Sequence, residues 1–151
     1  MLEIRLARPE DASIIARFRV MLFKEMGRLK DTEAEFAQIS ENYFEWAILV
    51  GREVAWIAEE FGDPVSVLSM TIEPMPPKPG RPRLIEAYMH NVYTLPSQRL
   101  RGFSKRLVIT ALEYAEKEEI ARVRLFTSND ARQMYESLGF VPHTRYLERK
   151  L

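Results

Sequence analysis

Tyr93-Thr94-Leu95-Pro96-Ser97-Gln98-Arg99-Leu100-Arg101-Gly102-Phe103-Ser104-Lys105-Arg106-Leu107 carries the chain from a strand, through a turn, into a helix. The apolar and β-branched run Ala87 to Thr94 predicts the strand, and Pro96 forces the turn. Beyond Gly102 the residues Leu107, Val108, Ala111, Leu112 and Ala115 recur at helical spacing, which predicts a helix over Phe103 to Glu118. Four basic residues lie between positions 99 and 106. Cations at a helix N-terminus oppose its dipole, each at a cost of roughly 0.3–1 kcal/mol, and an anionic ligand would reverse that sign. The unpaired N–H groups of the helix start, with Gly102 permitting close approach, are the physical means of holding phosphate oxygens. The competing reading is a solvated basic face. Neither G-x-x-x-x-G-K-[ST] nor a G-x-G-x-x-G after a strand occurs, which argues against a nucleotide triphosphatase or a Rossmann dehydrogenase.

Upstream, Leu2 to Leu6 alternates as a half-buried strand, and Arg8-Pro9-Glu10-Asp11 signals a helix start. Ile14, Ile15, Phe18, Leu22 and Met26 then recur at helical spacing, and a second helix beginning near Asp31-Thr32 is expected to turn Phe36, Ile39 and Tyr43 inward. Trp46 to Val50 reads equally as a short strand or as the end of that helix. Val54 to Glu60 and Val65 to Ile72 form an expected antiparallel hairpin around Phe61-Gly62-Asp63-Pro64, and the prolines between positions 74 and 83 predict a loop. A strand over Val123 to Thr127, a short helix over Ala131 to Leu138 and a last strand from about Val141 complete the order β-α-α-β-β-loop-β-α-β-α-β. That order predicts an α/β fold, a mixed central sheet with helices on its faces.

The 151 residues are one ordinary domain in size, so a single domain over residues 1–151 is expected. Lys+Arg and Asp+Glu both number 22, which weakens any reading as a nucleic-acid coat. Without cysteine there is no disulfide framework, thiolate metal site or cysteine nucleophile. His90 and His143 have no neighbours in a metal-ligand spacing, so no metal is expected. The lack of an apolar leader or of a membrane-length apolar run gives the expectation of a cytoplasmic protein without a membrane partner.

Arg99-Leu100-Arg101-Gly102-Phe103-Ser104 resembles the Gln/Arg-x-x-Gly-x-Gly/Ala signature of the GCN5-related N-acetyltransferase (GNAT) superfamily, with Ser104 where the family has Gly or Ala. Ala131-Arg132-Gln133-Met134-Tyr135-Glu136-Ser137-Leu138-Gly139-Phe140 is similar to that family's Ala-x-x-x-Tyr-Glu-x-Leu-Gly-Phe segment, and Asn91-Val92-Tyr93-Thr94 to its cofactor-binding strand. The matches span residues 91–140, in the family's order and spacing. The resemblance implies a single-domain GNAT-like fold and an acetyl-CoA-dependent N-acetyltransferase that moves an acetyl group to a primary amine by direct attack. It implies that the pantetheine arm pairs with the backbone of Val92, Tyr93 and Thr94, and that Arg99, Leu100, Arg101, Gly102, Phe103, Ser104 and Lys105 surround the pyrophosphate.

Tyr135 is the acid the resemblance implies for the leaving thiolate. A phenol's ordinary pKa of about 10 against about 8.5 for a thiol asks for a close hydrogen bond more than for a large shift. An acceptor of lysine type, pKa about 10.4, needs a base. Glu86 is the preferred candidate on the cofactor strand, with His90 on the same face and Glu73 on the preceding strand as the others. The acceptor, a small-molecule or protein amine, is left open, and homodimers are common among proteins of this likeness. The alternative from another class is a non-catalytic CoA-binding or regulatory module.

Overall fold

The computed structural model describes residues 1–143 and 145–151. β1 (Leu2–Leu6) leads through a short 3-10 turn to α1 (Ala12–Glu25) and α2 (Glu33–Leu49). β2 (Glu53–Glu60), β3 (Asp63–Met75) and β4 (Leu84–Thr94) follow, then α3 (Phe103–Lys117), β5 (Arg122–Arg124) and α4 (Asn129–Ser137). The strands lie in the order β1-β2-β3-β4-β5, antiparallel throughout except for the parallel β4–β5 pair. This is the expected mixed sheet with helices on both faces.

Side-chain alternation along the strands supplies both layers. Trp56, Leu68, Met70 and Met89 point to one face and pack on Leu107, Val108 and Ala111 of α3. On the other face Ile57, Val67 and Tyr93 meet Phe18 of α1, and Ala55 meets Ile15 and Phe44. The predicted apolar stripe of α3 is the buried one. No helix among the described residues is long and apolar enough to cross a membrane.

Several expectations need correction. Trp46 to Leu49 completes α2, while Ile39 and Tyr43 are 59% and 38% exposed rather than inward. Ser40, Phe44 and Ala47 form the buried face instead; α2 is apolar on two sides, so its period alone did not choose. β3 runs on through Pro74, because β2 ends its pairing at Glu53 opposite Thr71 and leaves one side of β3 without a partner that needs an N–H donor. β5 is limited to three residues. The described residues from Val141 onward form no strand, and Thr144, within that expected strand, lies outside the described residues.

Two features bind the start of α3 to the rest of the molecule. The Thr94 and Ser104 hydroxyls lie 2.8 Å apart, Thr94 and Ser66 2.7 Å apart, and Ser66 donates to the Tyr93 carbonyl at 2.9 Å, which joins β3, β4 and α3. At the end of α1, Glu25 accepts two 2.7 Å bonds from the Arg99 guanidinium and one of 2.9 Å from the Tyr93 hydroxyl. The Arg99 bonds, helped by Tyr93, hold the Glu25 carboxyl below its ordinary range against the opposing effect of desolvation.

Leu107→Ala should lower unfolding free energy by about 2–5 kcal/mol in denaturant titration, since this fully buried side chain leaves a cavity between α3 and the sheet. Glu25→Gln should be milder, under about 1 kcal/mol at neutral pH, because Arg99 and Glu25 are 40% and 46% exposed and solvent screens them. A depressed carboxyl pKa contributes stability that is present above the unfolded-state value and is lost on acidification, so the difference between wild type and Glu25→Gln should shrink as pH falls below 4 or so.

Candidate active site

β5 pairs with β4 only from Glu86 to Tyr88, so among the described residues the edge of β4 from Met89 to Thr94 has no strand beside it on that side. A bulge marks the same place. Between the pairs Val67–Tyr93 and Ser69–His90, two β4 residues, Asn91 and Val92, oppose Leu68 alone, and Asn91 sits at φ 52°. The bulge shifts the alternation, sending Val92 toward the α3 core and Tyr93 toward α1. The Tyr93 carbonyl accepts from Ser66 and the Leu95 N–H bonds the Val65 carbonyl on the β3 side, so the backbone groups of Thr94 between them turn to the open side. The Thr94 carbonyl accepts a 3.1 Å bond from Arg99 Nε.

The turn that follows ends at the N-terminus of α3. Gly102 caps the helix at φ 79°, a left-handed conformation that disfavours a side chain, although open space lies where a Cβ would stand. Arg106 N–H makes the first intrahelical bond, to the Gly102 carbonyl, and no side chain caps the helix. The amides of Phe103, Ser104 and Lys105 therefore precede the ladder as unpaired donors. These residues, with Val92–Thr94, line a cleft of about 710 Å³. Its remaining walls are the end of α1, with Leu22, Glu25 and Met26, and the start of α4, with Ala131 and Met134. The α1 wall was not signalled locally in the sequence, since only tertiary packing carries it to the loop.

The basic cluster divides in two. Arg99 is held by Glu25, and Arg101 binds Glu60 and Gln98 while lying 4.8 Å from the centre of the Phe103 ring. Lys105 and Arg106 have no carboxylate partner among the described residues. Leu100, at φ 63° and fully exposed, lines the same cleft. The Ser104 hydroxyl is engaged with Thr94 rather than directed at a phosphate position.

Tyr135 of α4 is buried in the α3 layer, edge-on to Phe140 at 5.7 Å, one residue beyond the cleft-lining Met134. Burial pushes its phenol pKa up, so the hydroxyl stays protonated and able to donate at neutral pH. Glu86 is buried near the start of β4, 3.9 Å from Arg122 and six residues before Val92. Glu73 pairs with Arg124. The third candidate, His90, lies two residues before Val92 and bonds Glu53, a carboxylate that no motif singled out. No group of three or more potential metal ligands exists among the described residues.

A strand that leaves its neighbour beside a helix N-terminus can be compared with known proteins. Solved structures align over nearly the whole chain. A GCN5-related N-acetyltransferase from Ralstonia eutropha JMP134 is 25% identical, with 100% of this chain and 99% of that one covered and a TM-score of 0.86. A predicted acetyltransferase with acetyl-CoA from Clostridium acetobutylicum is 24% identical, with 99% and 96% covered and a TM-score of 0.84. The ribosomal-protein-alanine N-acetyltransferase of Brucella melitensis biovar Abortus 2308 is 19% identical, with 99% of each chain covered and a TM-score of 0.71. No curated protein matches by sequence. The model of the Acetyltransferase (GNAT) family matches residues 21–140, which takes in the cleft from the end of α1 to α4. With sequence model and fold in agreement, the chain is an acyltransferase and belongs to the GNAT acetyltransferase family.

Proposed function

We propose that the chain, as one domain over residues 1–151, transfers an acetyl group from acetyl-CoA to a primary amine by direct attack, without a covalent enzyme intermediate. The observation that carries this reading is the continuity of the open β4 edge with the three unpaired amides of α3 along one cleft. A strand edge suits the amide-bearing pantetheine arm, and a helix N-terminus suits a pyrophosphate. Lys105 supplies mobile positive charge there. Arg99 and Arg101 in this reading fix the loop through Glu25 and Glu60, a change from the direct phosphate contact expected of them.

Acetyl-CoA supplies a thioester carbonyl that an amine attacks. In this reading the backbone N–H of Val92 stabilises charge developing on the carbonyl oxygen; a bulge in the strand supports it, because a backbone donor is fixed where a mobile side chain is not. Tyr135 donates to the departing sulfur; its raised pKa keeps the proton available until that charge forms. Glu86 fits the base less well than the sequence suggested. Six residues of strand separate it from Val92, about 20 Å at the usual rise, too far for direct proton transfer. Glu86 lies instead near the start of β4, 3.9 Å from Arg122.

Calorimetric titration should detect acetyl-CoA binding well above that of ATP, which has adenosine and phosphates without pantetheine. Equal binding of the two, or none, would contradict the reading. Tyr135→Phe should keep acetyl-CoA affinity and lose about 10²-fold or more in acetyl transfer, assayed with an alanine-terminated peptide, an amino sugar and a polyamine. Ser104→Ala should bind acetyl-CoA within about threefold of wild type and lose about 0.5–1.5 kcal/mol of stability, because its hydroxyl bonds Thr94.

A further inference from the structure

On the α1/α2 face of the sheet, behind the β4 bulge, a polar cluster interrupts an otherwise apolar layer. The Glu53 side chain is 0% exposed, on β2. Tyr43 of α2 donates to its Oε1 at 3.0 Å, and Thr71 of β3 donates to the same oxygen. His90 of β4 places Nε2 at 3.1 and 3.3 Å from the two carboxylate oxygens and 2.9 Å from the Thr71 hydroxyl. The Thr71 proton is committed to Glu53, so Thr71 can only accept from His90, and Nε2 must carry the imidazole hydrogen. In neutral histidine this makes Nδ1 the basic nitrogen, and Nδ1 has no partner among the described residues. The ring is held on one side by Tyr88, stacked at 5.2 Å, and on another by Phe44 at 6.3 Å. It stays 14% exposed, so protons can leave to water.

An isolated buried carboxylate is penalised by several kcal/mol, and apolar residues would fill this layer at less cost. Three converging donors reduce the penalty while directing one basic nitrogen. We propose that Glu53 and His90 form the proton-accepting pair for the acceptor amine, His90 Nδ1 taking the proton and Glu53 acting as the positioning residue. The inference rests on the acetyl-transfer reading above. His90 stands about 7 Å along β4 from Val92, at the strand rise of about 3.3 Å per residue, a span that one water can bridge between Nδ1 and an amine attacking beside the bulge. In the step, the amine lone pair forms the C–N bond as the C–S bond breaks. The sulfur takes the Tyr135 phenolic proton, the surplus amine proton passes to His90 Nδ1 and on to water, and the phenol is reprotonated from water.

The groups that face the pair are Arg19 of α1, Tyr43 of α2, Glu53 of β2, Thr71 of β3 and Tyr88 of β4, with Arg124 of β5 over the Tyr88 ring.

With the fastest amine of the panel above, His90→Gln should lose the acidic limb of kcat/KM and about 10²-fold in kcat while binding acetyl-CoA normally. Glu53→Gln should lose about tenfold in kcat and shift that limb, with acetyl-CoA binding unchanged. An unchanged limb in Glu53→Gln, or a His90→Gln enzyme with its limb and a rate within threefold of wild type, would overturn the proposal. If Glu53→Gln does not fold, the His90→Gln profile decides alone. Failure of wild type to bind acetyl-CoA would count against the acetyl-transfer reading, whereas acetyl transfer that survives His90→Gln would count against the pair alone.

Discussion

β4 is the element on which the rest depends, because it must pair with β3 along its full length while parting from β5 halfway. Backbone amides and carbonyls inside a protein demand partners, so a strand rarely keeps one edge open toward the interior. Here the register with β3 runs as far as Thr94, but that with β5 stops at Tyr88. The Asn91 bulge increases local twist at the divergence, and its buried Oδ1 has no partner among the described residues. The strain and the unpaired edge are concentrated where a ligand backbone can complete the sheet.

The helix that follows inherits this placement. A cluster of four cations at its start would be unfavourable in isolation, yet two of the four are neutralised by carboxylates from distant parts of the chain, Glu25 at the end of α1 and Glu60 at the end of β2. The same contacts tie the loop to both. Positive charge thus remains on Lys105 and Arg106, while the backbone donors of Phe103, Ser104 and Lys105 stay uncapped. Ser104 belongs to the scaffold: its hydroxyl continues the Ser66–Thr94 chain from the sheet into α3.

The two faces of the sheet do different work because the bulge changes which residues point where. Val92 packs with α3, and Tyr93 packs against Phe18 in an edge-on contact of 6.1 Å. Before the bulge, Tyr88 and His90 share the α1/α2 face with Glu53 and Thr71. The cleft and the Glu53 cluster thereby draw on residues of the same strand, β4.

Much was legible in the amino-acid order because it depends on local physics. The apolar stripe of α3, the turn at Pro96 and the β2–β3 hairpin follow from spacing and backbone preference, and the resemblance in residues 91–140 added the family. What stayed hidden depends on contacts between residues far apart in the chain. Spacing pointed to the wrong side of α2, turning Ile39 and Tyr43 inward, because both of its sides are apolar; packing against Ile15 and Ala55 chose Phe44 over Ile39. Pro74 looked like the end of a strand until the sheet showed β2 stopping short of it. Glu53 carried no local signal, since a lone glutamate in a strand reads as a surface residue. Only the stacking of β2, β3 and β4 beneath α2 buries it against His90, 37 positions away, because partnership across a sheet is set by register and not by proximity in sequence.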